Sequence, residues 1–306
     1  MQVTKDYMRV SDGHELYYER YEPSSPIGHI HLIHGMAEHI GRYMKFVDYL
    51  VSLGFIVSAH DQRGHGKTAE RNGMLGYFAD NDGFERIVED ARTVIKEAQQ
   101  VTGNLPLILF GHSMGSFVAR RYMQLYSEGI SRVVLSGTGG DPGTSGRLGL
   151  ALAIASAKTQ GKQEISKTLG QLTFGSFNKP FMGEGSSYAW LTRDKEAVAK
   201  YESDPWCGFE STNQFYVDLF SGLAIINKPA EVDKIRKDLP VLLISGAMDP
   251  VGDFGNGVFS SAKQFNDKGM SNVKVYLAEQ DRHELLNELD SQLHYELIGN
   301  WMCGND

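Results

Sequence analysis

Ser113, Asp249 and His283 are the residues whose types and order could carry nucleophilic chemistry in this chain. Ser113 lies in Gly111-His112-Ser113-Met114-Gly115, a Gly-x-Ser-x-Gly string. With 34 glycines and 24 serines in 306 residues, chance alone gives about 0.3 such strings, so its context must decide. Leu107-Ile108-Leu109-Phe110 reads as a buried strand immediately before it, and Phe117, Val118, Tyr122, Leu125 and Tyr126 as one helix face immediately after. A serine on the sharp turn between such a strand and helix projects its hydroxyl clear of the sheet. The flanking glycines relieve crowding where the two elements nearly touch. That is the setting of an activated serine.

A serine nucleophile in this setting is served by an acid and then a histidine further along the chain. Of ten histidines only His283 and His294 follow Ser113. His294 falls within the helical pattern Leu289, Leu293, Leu297, beside a face that should pack. His283 follows the strand pattern Val273 to Leu277, in a loop from which an imidazole could reach the sheet edge. For the acid, Asp249 comes directly after the run Val241 to Gly246, at a strand end where ligands gather. Asp253, Asp141 and Asp281 rank behind it in that order. Acyl transfer also needs two backbone N–H donors for the developing oxyanion. Met114 supplies one, and the strand His29 to His34 ends in His34-Gly35-Met36, which puts the Met36 N–H where the second belongs. His34 itself reads as a structural loop residue.

The elements that must position these residues follow from periodicity. Two alternating segments, Lys5 to Val10 and Glu15 to Tyr21, read as an antiparallel hairpin. Strand, loop and helix then repeat, with strands at His29–His34, Phe55–Asp61, Leu107–Gly111, Ser131–Ser136, Val241–Gly246 and Val273–Leu277. This is the signature of an α/β protein with a mostly parallel sheet covered on both faces. The clearest helix follows Asp82: Phe84, Ile87, Val88, Ala91, Val94, Ile95 and Ala98 form one apolar stripe that ends before Gly103. Between Gly139 and about Lys234 the alternation stops, and a helix-like insertion rich in aromatic residues takes its place. About two thirds of those aromatics are expected to form the insertion's own core, the rest to face a pocket. The apolar run Leu148 to Ile154 suits an acyl chain. A buried helix is its more ordinary reading, and a lid face resting transiently on lipid aggregates the alternative.

Composition excludes several classes. The chain is 41% hydrophobic and 22% charged, with no apolar run near the ~20 residues needed to span a bilayer. A net charge of −8 without a basic cluster disfavours nucleic acid and anionic lipid surfaces. Cys207 and Cys303 are too few for a disulfide framework and are not spaced as metal ligands; each is expected to be a free thiol. The N-terminal residues lack the charged-then-apolar pattern of a leader, so a cytoplasmic location is expected. Neither a metal nor a cofactor is called for, and the oligomeric state is not legible.

His34-Gly35-Met36-Ala37-Glu38-His39, Asp61-Gln62-Arg63-Gly64-His65-Gly66, the serine string, Asp249-Pro250-Val251-Gly252 and His283-Glu284-Leu285-Leu286-Asn287-Glu288 resemble the monoacylglycerol lipase and lysophospholipase branch of the α/β hydrolases. The segment Asp204-Pro205-Trp206-Cys207-Gly208-Phe209 is similar to bacterial lysophospholipases. The resemblance implies an eight-stranded sheet with helices on both faces, a core of residues 1–139 and 235–306, and a helical cap of residues 140–234. It implies the triad Ser113, Asp249 and His283, the oxyanion donors Met36 and Met114, a structural role for Asp61–Gly66, and hydrolysis of lipid-like carboxylic esters without a cofactor. Ser116 stands where many members carry glycine. One triad also serves peptidases on the same fold. An aminopeptidase, with Glu184, Glu202, Asp204 or Glu210 binding an amine, is the enzymatic alternative, and a low-turnover ligand-binding protein the other.

Overall fold

The two N-terminal segments pair as the alternation predicts. In the computed structural model, which describes residues 1–103 and 105–305, β1 (Gln2–Arg9) and β2 (Glu15–Glu22) are antiparallel, with Val3 opposite Tyr21 and Met8 opposite Leu16. The remaining strands are β3 (Gly28–Ile33), β4 (Phe55–His60), β5 (Leu107–His112), β6 (Arg132–Ser136), β7 (Val241–Gly246) and β8 (Val273–Ala278). They form one sheet in the order β1-β2-β4-β3-β5-β6-β7-β8, parallel from β4 onward. Every strand pattern read from the sequence is a strand; β1 begins three residues before the Lys5 read for it, and the other ends agree to within one residue.

The helices are α1 (Met44–Ser52), α2 (Gly66–Asn72), α3 (Gly83–Thr102), α4 (Met114–Tyr126), α5 (Gly143–Gln160), α6 (Lys167–Phe174), α7 (Lys195–Ser203), α8 (Asn213–Ile226), α9 (Pro229–Val232), α10 (Asn256–Asp267) and α11 (Ser291–Cys303). Period-two alternation splits each central strand between two cores. Leu107 and Leu109 of β5 face the layer containing α3, α4 and α10, while Ile108 and Phe110 face α1 and α11. Val241 and Leu243 of β7 divide from Leu242 and Ile244 in the same way. Such strands are apolar throughout because both faces are covered. The stripe predicted on α3 is buried along its whole length, and Gly103 ends the helix at φ 62°.

Between β6 and β7 the chain runs through α5 to α9. α8 packs against both α5 and α3. The crossing with α3 is so close that a Cβ on Gly222 would stand 2.3 Å from the Phe84 ring. The run Leu148–Ile154 lies on α5, but not as a buried helix: only Ala153 of that helix is buried, and Leu148 is 67% exposed. α5 packs closely on α8, with Gly149 against Phe220, and Leu148 and Leu152 overhang a cavity instead of a core. No helix among the described residues is long and apolar enough to cross a membrane.

Candidate active site

Ser113 occupies the turn between β5 and α4 with φ 52° and ψ −121°, a left-handed conformation unusual for a residue with a Cβ. The surrounding contacts enforce it. The Ser113 N–H donates to the Ser136 carbonyl at 2.8 Å, and the Ser113 carbonyl accepts from the Ser116 N–H at 2.8 Å and the Ser116 hydroxyl at 2.6 Å. The serine at position 116 therefore buttresses the turn. The two motif glycines are required by contact. A Cβ on Gly111 would lie 2.4 Å from the Gly115 carbonyl oxygen, and one on Gly115 would lie 2.1 Å from that of Ile33.

His283 follows β8 and Asp249 follows β7, and the parallel register of those strands brings the two loops together. His283 Nδ1 and Asp249 Oδ2 are 2.9 Å apart, both residues buried. Asp249 Oδ1 accepts from the Val251 N–H at 2.8 Å, and Oδ2 also accepts from the Ser245 hydroxyl at 2.9 Å. Burial alone would push its carboxyl up; the His283 charge and these hydrogen bonds outweigh burial and hold it below the ordinary range. Burial likewise pulls the His283 ring down, and the Asp249 charge and hydrogen bond overcome that and raise it. The other candidates lie elsewhere. Asp281 is bonded to His294 Nε2 at 2.6 Å, Asp141 caps the Gly143 N–H at 2.8 Å, and Asp253 is exposed.

The loop after β3 carries Met36, and Met114 opens α4, so the Met114 N–H is among those a helix leaves without an internal partner. Both residues line the same cavity as Ser113 and His283. The loop is fixed from below. Glu38 accepts from the Gly35 N–H at 2.5 Å and the Tyr43 hydroxyl at 2.6 Å, and Arg42 bridges Glu38 to Glu284 with contacts of 2.5 to 2.7 Å. Against the cost of burial, the Arg42 guanidinium keeps both carboxyls ionised and below their usual range. His34 is structural, as expected: Nδ1 donates to the Gly35 carbonyl at 2.7 Å while Nε2 accepts from the Gln62 N–H at 2.9 Å. Asp61 in turn accepts from the Ile40 and Lys67 N–H groups, and Arg63 pairs with Asp12 and Asp90.

Residues 24–290 match the family described as Serine aminopeptidase, S33. The chain belongs to this family of α/β hydrolases. A monoacylglycerol lipase from Mycolicibacterium smegmatis is 32% identical over 194 residues, 63% of this chain and 61% of that one. This alignment thus spans less than two thirds of the bacterial relative. Mouse monoglyceride lipase is 26% identical over 303 residues, covering 95% of this chain and 88% of its own. Among solved structures, a thermostable carboxyl esterase from Bacillus coagulans in complex with glycerol superposes with a TM-score of 0.93 at 28% identity, covering 99% of both chains.

In this α/β hydrolase the site opens into a cavity of about 430 Å³. Seven of the eleven large aromatics of the insertion line it, more than the third expected from the sequence. Lining the cavity and burial are not exclusive: Tyr201 and Tyr216 line it and are also buried. Trp190 stands with its ring centroid 5.1 Å from that of His283. A second cavity of about 870 Å³, between α5, α6 and the Pro250–Ser260 segment, shares Phe177 and Val251 with the first. Sequence reasoning missed Glu38, Arg42, Trp190, Arg193 and Arg282 as supports of the site. The Glu38-x-x-x-Arg42 spacing was a signal for the first two; nothing local marks the others.

Proposed function

We propose that this protein hydrolyses carboxylic esters of lipid-like substrates, monoacylglycerols or lysophospholipids, through an acyl-enzyme on Ser113. The observation that carries this reading is His283, held by the buried Asp249, on the wall of the same aromatic-bearing cavity that Ser113 lines. His283 takes the Ser113 proton as the hydroxyl attacks the ester carbonyl, and Asp249 fixes the ring and stabilises the imidazolium. The Met36 and Met114 N–H groups receive the oxyanion, and His283 returns the proton to the leaving alcohol. Water then repeats the steps on the acyl-enzyme. No cofactor enters this sequence.

In this reading residues 140–234 are a cap over a core of 1–139 and 235–306. The second cavity takes the acyl chain past Phe177 and Val251, and the exposed leucines of α5 touch lipid aggregates transiently. The names of the relatives support an ester of glycerol. The free thiols of Cys207 and Cys303 support a reducing, cytoplasmic location.

The family's aminopeptidase description raises the second reading, which needs a carboxylate available to an ammonium beside Ser113. Glu184 is paired with Arg282, Asp204 with His39, and Glu202 with the Ser186 hydroxyl, while Glu38 and Glu284 share Arg42. Glu210 lines the cavity and is the group through which a peptidase would act. The test is a p-nitrophenyl ester series from acetyl to palmitoyl, with monoacylglycerol, lysophosphatidylcholine and amino-acid p-nitroanilides alongside. The wild type is expected to cleave medium or long esters and Ser113→Ala to lose about 10⁴ to 10⁶ in turnover. Cleavage of the anilides alone would favour the peptidase, and ligand-induced stabilisation without turnover a binding protein.

A further inference from the structure

The loop that carries His283 is built into the insertion. The His283 and Glu284 N–H groups donate to the Trp190 and Leu191 carbonyls at 3.4 and 2.7 Å, and the Thr192 hydroxyl donates to the Asn287 carbonyl at 2.9 Å. Arg282 reaches the other way: its guanidinium donates to the Ala189 carbonyl at 2.6 Å and grips Glu184 with both terminal nitrogens. Arg193 closes the arrangement. Its guanidinium contacts Glu288 at 3.0 Å, Asp290 at 2.8 Å and Asp281, and its N–H donates to Glu288 at 3.2 Å. The carboxylates of Glu288 and Asp281 are almost wholly shielded from water. Glu288 also accepts from the Arg282 N–H at 3.0 Å, and the Asp281 carbonyl accepts from the Met248 N–H at 2.9 Å, next to Asp249. One guanidinium from the insertion thus holds both ends of the His283 loop and, through Asp281, the loop of its acid partner.

We propose that Arg193 is a positioning residue for the His283–Asp249 pair, and that Ala189–Arg193 is a fixed support of that pair and does not move with any cover over the cavity. The proposal rests on His283 and Ser113 acting as described above. Removing the guanidinium leaves the shielded Glu288 carboxylate without a counter-charge and Asp281 with His294 alone, and Glu288 regains water only if the loop beside His283 moves. Catalytic geometry is sensitive to displacements of about 1 Å, which can cost about 10²-fold. Any opening of the cavity falls instead to α5 and α6, whose exposed leucines make no comparable bonds to the His283 loop.

The test compares the full chain with Ser113→Ala, Arg193→Ala and Arg193→Lys on p-nitrophenyl butyrate, below the melting temperature of each. Arg193→Ala is expected to lose about 10- to 100-fold in kcat with KM within about threefold. Arg193→Lys should lose less, and added guanidinium should restore part of the activity of Arg193→Ala and none of Ser113→Ala. In the wild type, hydrogen exchange should find the His283 and Glu284 amides as protected as those of β8 and slower than α5. A kcat of Arg193→Ala within twofold of wild type overturns the proposal, as do fast-exchanging His283 and Glu284 amides in the wild type, a result that stands whether or not Arg193→Ala folds. An active Ser113→Ala would instead sink the underlying assignment of the nucleophile.

Discussion

In the proposed mechanism Ser113 is activated by the neutral imidazole of His283, and the surroundings of that ring set the pH at which it is available. Burial drives the ring toward neutrality, but the Asp249 carboxylate, by charge and by the 2.9 Å contact, overrides burial and lifts the pKa above 6.5. The acidic limb of kcat/KM is therefore expected to have its midpoint above 6.5, since activity appears only as this group loses its proton. Asp249→Asn removes the main raising influence and leaves burial in place, so the limb should shift to lower pH. The same substitution favours the wrong tautomer and should lower kcat by about 10³ to 10⁴. A profile of kcat/KM from pH 5 to 9 for both proteins decides; a limb that does not move would mean that another group titrates there. The candidates Ser113, Asp249 and His283 could be picked out because each follows a recognisable strand; chain order leaves only His294 beside His283, and the place of Asp249 at a strand end ranks it ahead of Asp253, Asp141 and Asp281. Arg193 was not, because its partners Asp281, Glu288 and Asp290 lie about ninety residues further along and only the fold brings them to it.

The elbow between β5 and α4 shows how an element constrains a residue. Gly115 allows α4 to approach the end of β3, where its Cβ would collide with the Ile33 carbonyl, whereas a Cβ on Gly129 would meet nothing within 4 Å. Gly115→Ala is expected to destabilise the protein by at least about 3 kcal/mol, the upper end of overpacking costs, and Gly129→Ala to change stability by less than about 0.5 kcal/mol. Urea unfolding of the pair measures the contrast; equal midpoints would show that the elbow relaxes freely. α5 is the element the sequence described least well. Its apolar run is the same whether it is buried or overhangs a cavity, because periodicity reports which residues are apolar and not what faces them. Leu148 of α5 and Leu172 of α6 both line the second cavity. If an acyl chain lies there, Leu148→Ser with Leu172→Ser should lower the palmitoyl-to-butyryl ratio of kcat/KM about tenfold, as the loss of one to two kcal/mol of apolar contact requires. A ratio unchanged between wild type and double variant would place the chain elsewhere.

At the scale of the whole molecule, the sheet carries an unusual load of buried imidazoles. His29 and His31 on β3 flank the Ser58 hydroxyl of β4 at 2.7 and 2.8 Å, and His31 stacks on His60. Burial lowers His60 to about 3, and His29, His65 and His112 to about 4; His31 and His34 are also driven well below 6.5. A base depressed in the folded state is neutral there and protonated once unfolded, so each costs stability as pH falls below 6.5, by about 1.4 kcal/mol per pH unit. Some groups act in the opposite direction. Asp61 and Asp218, raised by burial to about 6, bind protons in the folded state first and add stability as pH falls from 6. His283, raised, is fully stabilising below 6.5 and loses its contribution only as pH rises through its folded value. With His14, which burial also lowers to about 4, seven histidines against two aspartates leave unfolding taking up about five protons near pH 5. The melting temperature is expected to drop by about 10 °C or more between pH 7 and pH 5, well above the range in which paired carboxylates such as Asp249 titrate. Calorimetric scans at half-unit intervals measure it. A melting temperature level across that window would mean that the buried imidazoles gain charge within the folded sheet, which would require water to reach the buried β3–β4 face.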